Sequence, residues 1–144
     1  MQSNATIDKL PVIHPSHTHW RREDMPQIDD VQMFQDHLRK HFASFRREDI
    51  SPAHLHATQN EINLGLVFRI ISSGINTHAH PIIVSKDNHI LDGHNRWYAA
   101  LILRIPVHCI VVDREIRSLL HLALAMPNVN KLSVNNIELH KENK

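Results

Sequence analysis

Only three glycines (Gly65, Gly74 and Gly93) and one cysteine (Cys109) occur in 144 residues, and each scarcity removes a class of chemistry. A Walker-type phosphate loop needs two glycines five positions apart followed by Lys and Ser or Thr, and a dinucleotide fingerprint needs three clustered glycines. Neither spacing occurs. A single cysteine forms no internal disulfide, no Cys-x-x-Cys zinc knuckle and no dithiol redox pair, so a reducing, cytoplasmic setting is expected. No apolar run is long enough to span a membrane and no secretory signal is visible, so no membrane partner is expected either. An excess of one charge is also missing: 16 Lys and Arg against 15 Asp and Glu leave a formal +1, too balanced for nucleic-acid binding through bulk charge. Any polyanion site has to be local.

Histidine, by contrast, is abundant. Protonation of all 14 would raise the formal charge from +1 to +15, so the field of the protein changes steeply between about pH 7 and 5. Three His-x-His pairs occur, His17/His19, His54/His56 and His78/His80. In a strand, i and i+2 share a face and can offer two imidazoles to one metal, but random placement gives roughly one such pair, so three is a mild excess. His78 and His80 stand apart because they precede a predicted strand and lie near the most informative turn. The doublets Arg21-Arg22 and Arg46-Arg47 are each followed by Glu-Asp, which nearly cancels their charge.

Residues 1–5 read as the remnant of a cleaved tag, and residues 1–28 as an irregular arm that packs through Val12, Ile13 and Trp20. A single domain is expected over 29–127, followed by a polar tail over 128–144. Asp29 or Asp30 caps a helix that carries Val31, Phe34, Leu38, Phe42 and Phe45 at spacings of three and four, a stripe buried in the core or in a dimer contact. Arg46 to Ile50 is ambiguous, with strand as one reading, and Ser51-Pro52-Ala53 marks a turn. A helix from about Glu61 to Ser73 is predicted, with Asn60 as cap, Ile62, Leu66, Val67, Ile70 and Ile71 as its apolar face, and Gly74 ending it. Pro81 to Val84 and His89 to Leu91 form a hairpin around Ser85-Lys86-Asp87-Asn88. A helix through Trp97, Ala100 and Leu101, a strand over Val107 to Val112 and a helix from Ile116 to Met126 complete the pattern, with Pro106 and Pro127 as stops. Helices interleaved with short strands predict a small α/β or α+β domain with helices packed on a mixed sheet.

In Leu91-Asp92-Gly93-His94-Asn95-Arg96-Trp97 a glycine joins an apolar strand to a helix. The first backbone N–H groups of a helix lack internal partners and carry the positive end of its dipole, which favours an anion, phosphate above all. Gly93 permits close approach, His94 and Asn95 add donors, and Arg96 offers two-pronged hydrogen bonding to phosphate. Asp92 repels a bare phosphate, so it caps the helix, binds a cation or acts as a base. A capped helix with merely solvated side chains is the alternative. Glu61 either stabilises a helix dipole or serves as a general base or cation ligand. Gln59 hydrogen-bonds a substrate or caps.

Pro81-Ile82-Ile83-Val84, then Ile90-Leu91-Asp92-Gly93-His94-Asn95-Arg96-Trp97 and Ala99-Ala100, resemble the core of the ParB/sulfiredoxin superfamily, particularly free-standing ParB-like domains of phages and mobile elements. Thr58-Gln59-Asn60-Glu61-Ile62-Asn63, the following helix and Gly74 look like its other half, so the resemblance spans about Ile50 to Met126. That superfamily includes partition proteins that bind DNA and hydrolyse CTP, sulfiredoxins that use ATP to repair oxidised cysteine, serine kinases that use ADP, and nucleases. The resemblance implies that Gly93, His94, Asn95 and Arg96 hold nucleotide phosphates, that Asp92 positions a metal such as Mg²⁺ or an acceptor, and that Glu61, Asp92 and His94 are catalytic. His94 stands where sulfiredoxins carry their reactive cysteine, which argues against cysteine repair. No room for a helix-turn-helix follows Pro127, which sets the chain apart from the partition proteins. Three readings result: a nucleotide-binding domain performing phosphotransfer or hydrolysis with ATP, ADP or CTP; a DNA-binding protein or nuclease; and a non-catalytic interaction module.

Overall fold

A computed structural model describes residues 10–59, 61–126 and 130–131. Its elements in chain order are strand β1 (Pro26–Gln27), helix α1 (Val31–Lys40), strand β2 (Phe45–Ile50), helix α2 (Leu64–Ser73), strands β3 (Ile82–Ser85) and β4 (Ile90–Asp92), helix α3 (His94–Leu103), strand β5 (Val107–Val112), helix α4 (Ile116–Leu124) and strand β6 (Asn130–Lys131). Four strands form one sheet in the order β2-β5-β3-β4. β5 runs antiparallel to β2 and parallel to β3, and β4 returns antiparallel beside β3. The class is α+β, with helices packed on a mixed sheet.

The central strands are apolar at successive positions because both faces of the sheet are covered. Ile83, Leu91, Ile110 and Val112 enter one core with Phe34 and Leu38 of α1 and Ile116, Leu119 and Leu120 of α4. Ile82, Val84, Ile90, Cys109 and Val111 enter the other with Val67 of α2 and Trp97, Ala99 and Ala100 of α3. β2 lies at the sheet edge, and its charged middle (Arg46, Arg47, Glu48, Asp49) is exposed. Edge strands carry charge to prevent further pairing, which is why this strand is ambiguous by periodicity.

Three helix boundaries differ from expectation, those of α1 and α2 for a local reason. α1 ends at Lys40 because Ala43 N–H bonds the Leu38 carbonyl and Phe42 N–H bonds the Arg39 carbonyl, a Schellman closure with Phe42 left-handed at φ 57°. Phe42 is consequently 93% exposed, and Phe45 belongs to β2, so the expected buried stripe stops at Leu38. α2 begins at Leu64 with Asn63 as its cap, Oδ1 accepting from Leu66 N–H at 3.0 Å. Glu61 thus precedes the helix and exerts no first-turn dipole effect, while Asn60 lies outside the described residues. α4 ends at Leu124 rather than Met126. Residues 1–5 and Pro127 also lie outside the described residues.

The arm is packed where it is described. Ser16 and Trp20 N–H groups bond the Ala57 and Thr58 carbonyls, Tyr98 hydroxyl donates to the Pro11 carbonyl, and Ile13 and Trp20 pack on the cores, while Val12 remains exposed. Within the segment expected to be a polar tail, Asn130 and Lys131 pair antiparallel with Gln27 and Pro26. At the start of α1 the two candidate caps separate: Asp30 Oδ1 accepts from Met33 N–H at 2.9 Å, and Asp29 makes no cap bond. Asp30→Ala is expected to lower stability by about 1 kcal/mol in urea denaturation, and Asp29→Ala to cause no such loss.

Candidate functional site

β4 ends at Asp92 and α3 begins at His94, so the chain must reverse through one residue. Gly93 does so at φ 108°, ψ 25°. A Cβ there would stand 3.0 Å from Ile82 Cγ1 and 3.0 Å from an Arg96 guanidinium nitrogen, so both conformation and space require glycine. Among the described residues no side chain caps α3, and its leading N–H groups stay open.

The residues at this helix start line a cavity of about 420 Å³, within the range of small-ligand pockets. The turn residues Leu91 to Arg96 form one wall. α2 supplies Leu66 and Ile70, which explains why its apolar face is only half-buried against protein. Met25, Ile28 and Asp29 also line it, and Arg22, Gln59 and His80 are among its further polar residues. The result is a hollow lined by both apolar and polar side chains.

Two charges in this lining are held against their solvation preference. Burial pushes the Asp92 carboxyl up to about 6, with nearby Asp29 adding to the rise and Arg96 and a backbone hydrogen bond from Ile28 opposing it. Arg96 is an incomplete partner: its Nη2 lies 3.7 Å from Asp92 Oδ2 and 3.5 Å from the Pro81 carbonyl, and its buried Nε has no acceptor among the described residues. A buried donor without an acceptor is costly, and because Nε is shielded from the cavity an anion there would meet the guanidinium only at its partly exposed outer nitrogens.

His94 is 4% exposed, and burial pulls its imidazole down to about 3. Its Nε2 accepts from Thr58 N–H at 3.0 Å, which leaves the ring proton on Nδ1. The ring is therefore neutral near pH 7, positions the turn against Thr58, and brings no positive charge to a phosphate. Asn95 Oδ1 accepts from Asn63 N–H at 3.1 Å and ties α3 to the start of α2. Asp92, Gly93, His94, Asn95 and Arg96 are thus brought together, whereas Glu61 is exposed and outside the cavity lining. Gln59 lines the cavity and donates to the Glu61 carbonyl at 3.3 Å.

Asp29 and Arg22 join the site without having been singled out for it, and of the two histidines expected near the turn His80 lines the cavity. For Asp29 a signal existed: of two adjacent aspartates before a helix only one can be the cap. His80 faces the cavity while its i−2 partner His78 stacks on His108, so that pair does not converge on one metal. Arg21 pairs with Glu23 and Asp24, and Arg46 with Glu48, as their spacing implies. Cys109 is fully buried, and burial together with Glu48 and Asp49 pushes its thiol up to about 12, an inert state. No helix among the described residues is long and apolar enough to cross a membrane. Compared with protein-family models, curated proteins and solved structures, the chain matches none.

Asp92 and His94 generate opposite pH dependences. Because the Asp92 pKa is raised on folding, its ionisation costs nothing below about pH 4, an increasing amount up to pH 6, and the full amount above. His94, lowered on folding, adds stability above pH 6.5 that is lost on acidification towards pH 3. Asp92→Asn should raise stability at pH 7.5 by roughly 1–3 kcal/mol, with the gain gone by about pH 4, in urea titrations across pH. Gly93→Ala should cost about 1–2 kcal/mol or more in the same assay, from the left-handed backbone and the Ile82 contact.

Proposed function

We propose that the chain binds a nucleotide in this cavity and acts on its phosphates by transfer or hydrolysis. The carrying observation is the uncapped N-terminus of α3, with the partly exposed Arg96 guanidinium beside it, lining a cavity of about 420 Å³. An anion satisfies the open donors, and the apolar lining residues Met25, Leu66 and Ile70 suit a base or sugar face. The resemblance of residues 81–100 to the ParB/sulfiredoxin core supports the same reading.

The residues also fit a divalent cation of the Mg²⁺ kind. Asp92 and Asp29 are hard oxygen donors that both line the cavity and lie near enough to interact, and two carboxylates facing a polyphosphate require a positive charge between them. When bound, Mg²⁺ supplies that neutralisation. Arg96 draws the phosphate to the helix end, and Asp92, ionised above about pH 6, orients or deprotonates the water or hydroxyl acceptor. His94 holds the turn in place as a neutral ring.

Calorimetry with ATP, ADP and CTP, each with and without Mg²⁺, tests this. Binding of at least one nucleotide is expected, strengthened by Mg²⁺, with Arg96→Ala weakening it by about 10–100-fold. Absence of binding by all three, or unchanged affinity in Arg96→Ala, would overturn the proposal.

A further inference from the structure

Away from the cavity, His78 has partners of its own. Asp49 of β2 and His108 of β5 are opposite one another in the antiparallel register, so their side chains leave the same face of the sheet. Asp49 Oδ1 lies 2.7 Å from His108 Nδ1. The loop between α2 and β3 delivers the third group. The Thr77 hydroxyl accepts from His108 N–H at 2.8 Å, and the next ring, His78, stacks on His108 with centroids 4.2 Å apart and planes 19° from parallel. One donor atom from each of Asp49, His78 and His108 falls within 4.8 Å of the other two.

We propose that Asp49, His78 and His108 form a binding site for a divalent transition-metal ion of the zinc class, with water completing the shell. Three segments distant in sequence place two imidazoles and a carboxylate at one point, and an Asp–His ion pair alone would need no second imidazole. Donors on a tetrahedral zinc ion stand roughly 3.4 Å apart, from bonds of about 2.1 Å, and imidazoles bind in the ring plane, so closing the shell requires the exposed His78 to rotate out of its stack on His108 and the exposed Asp49 to turn with it. The mixed nitrogen and oxygen set favours zinc, cobalt or nickel over magnesium or calcium, in contrast to the all-oxygen carboxylates of the cavity. A second histidine-rich hollow, around His17, His19, His56 and His89, is less suited. There His89 Nε2 bonds Ser16 Oγ, His89 Nδ1 bonds the Asp87 carbonyl, and His19 Nδ1 bonds the Ser16 carbonyl, so ring nitrogens are already engaged. Occupancy of the triad would fasten the edge strand β2 and the His78 loop to β5.

The test uses chelator-stripped full-length chain titrated with Zn²⁺ against a colorimetric chelator. One equivalent is expected to bind, with His78→Ala and Asp49→Asn, both at exposed positions, each weakening it by about tenfold or more and a His17→Ala/His19→Ala control leaving it unchanged. Co²⁺-loaded wild type should show visible d–d absorption that His78→Ala lacks, with circular dichroism confirming that the variant is folded. Lack of stoichiometric Zn²⁺ binding by the wild type, unchanged affinity in His78→Ala, or loss confined to the His17/His19 variant would overturn the site.

Discussion

The close contact of Gly93 with Ile82 sets the geometry of the candidate site. With no Cβ, the junction between β4 and α3 lies directly on β3, and the left-handed backbone turns the chain from strand to helix within one residue. That single reversal aims the next three side chains. His94 reaches Thr58, Asn95 reaches Asn63, and Arg96 reaches towards Pro81 and Asp92. The segment before α2, the start of α2 and the start of β3 are therefore all referenced to one turn, and the cavity is the space left between them.

The same turn concentrates electrostatic cost. A carboxylate, a guanidinium and an imidazole enter a poorly hydrated region, and each responds by its own chemistry. The imidazole gives up its proton and accepts a backbone hydrogen bond. The carboxyl resists ionisation. The guanidinium cannot deprotonate, so it stays charged with one donor unanswered among the described residues. Such an arrangement lowers stability compared with an apolar wall, a cost that supports the proposed ligand site.

Much of the fold could be read along the chain. The apolar runs of β3 and β5, the hairpin before Asp92, Gly74 ending α2 and the glycine turn are local signals, set by backbone propensity and periodicity. Sequence and structure part where two local options are nearly equal. Asp29 and Asp30 are equally good caps in isolation, and only packing sent one to Met33 N–H and the other to the cavity. Phe42 continues a helical period, yet the Schellman closure places it in solvent. Glu61 matches a motif by position, but α2 starts three residues later, so the acid remains outside the wall.

The residue string by itself determined a mixed sheet with packed helices, through its periodicity, and the Gly93 turn and the group Asp92 to Arg96, because adjacency in sequence guarantees adjacency in space. It also determined that Cys109 would sit in an apolar strand. Tertiary structure alone decided that His94 is neutral, that Asp29 stands near Asp92, and that His78 and His80 part company, one to His108 and one to the cavity. The reason is the range of the interactions: turn geometry depends on a few neighbouring dihedral angles, whereas desolvation and charge pairing depend on segments brought together only when both faces of the sheet are covered.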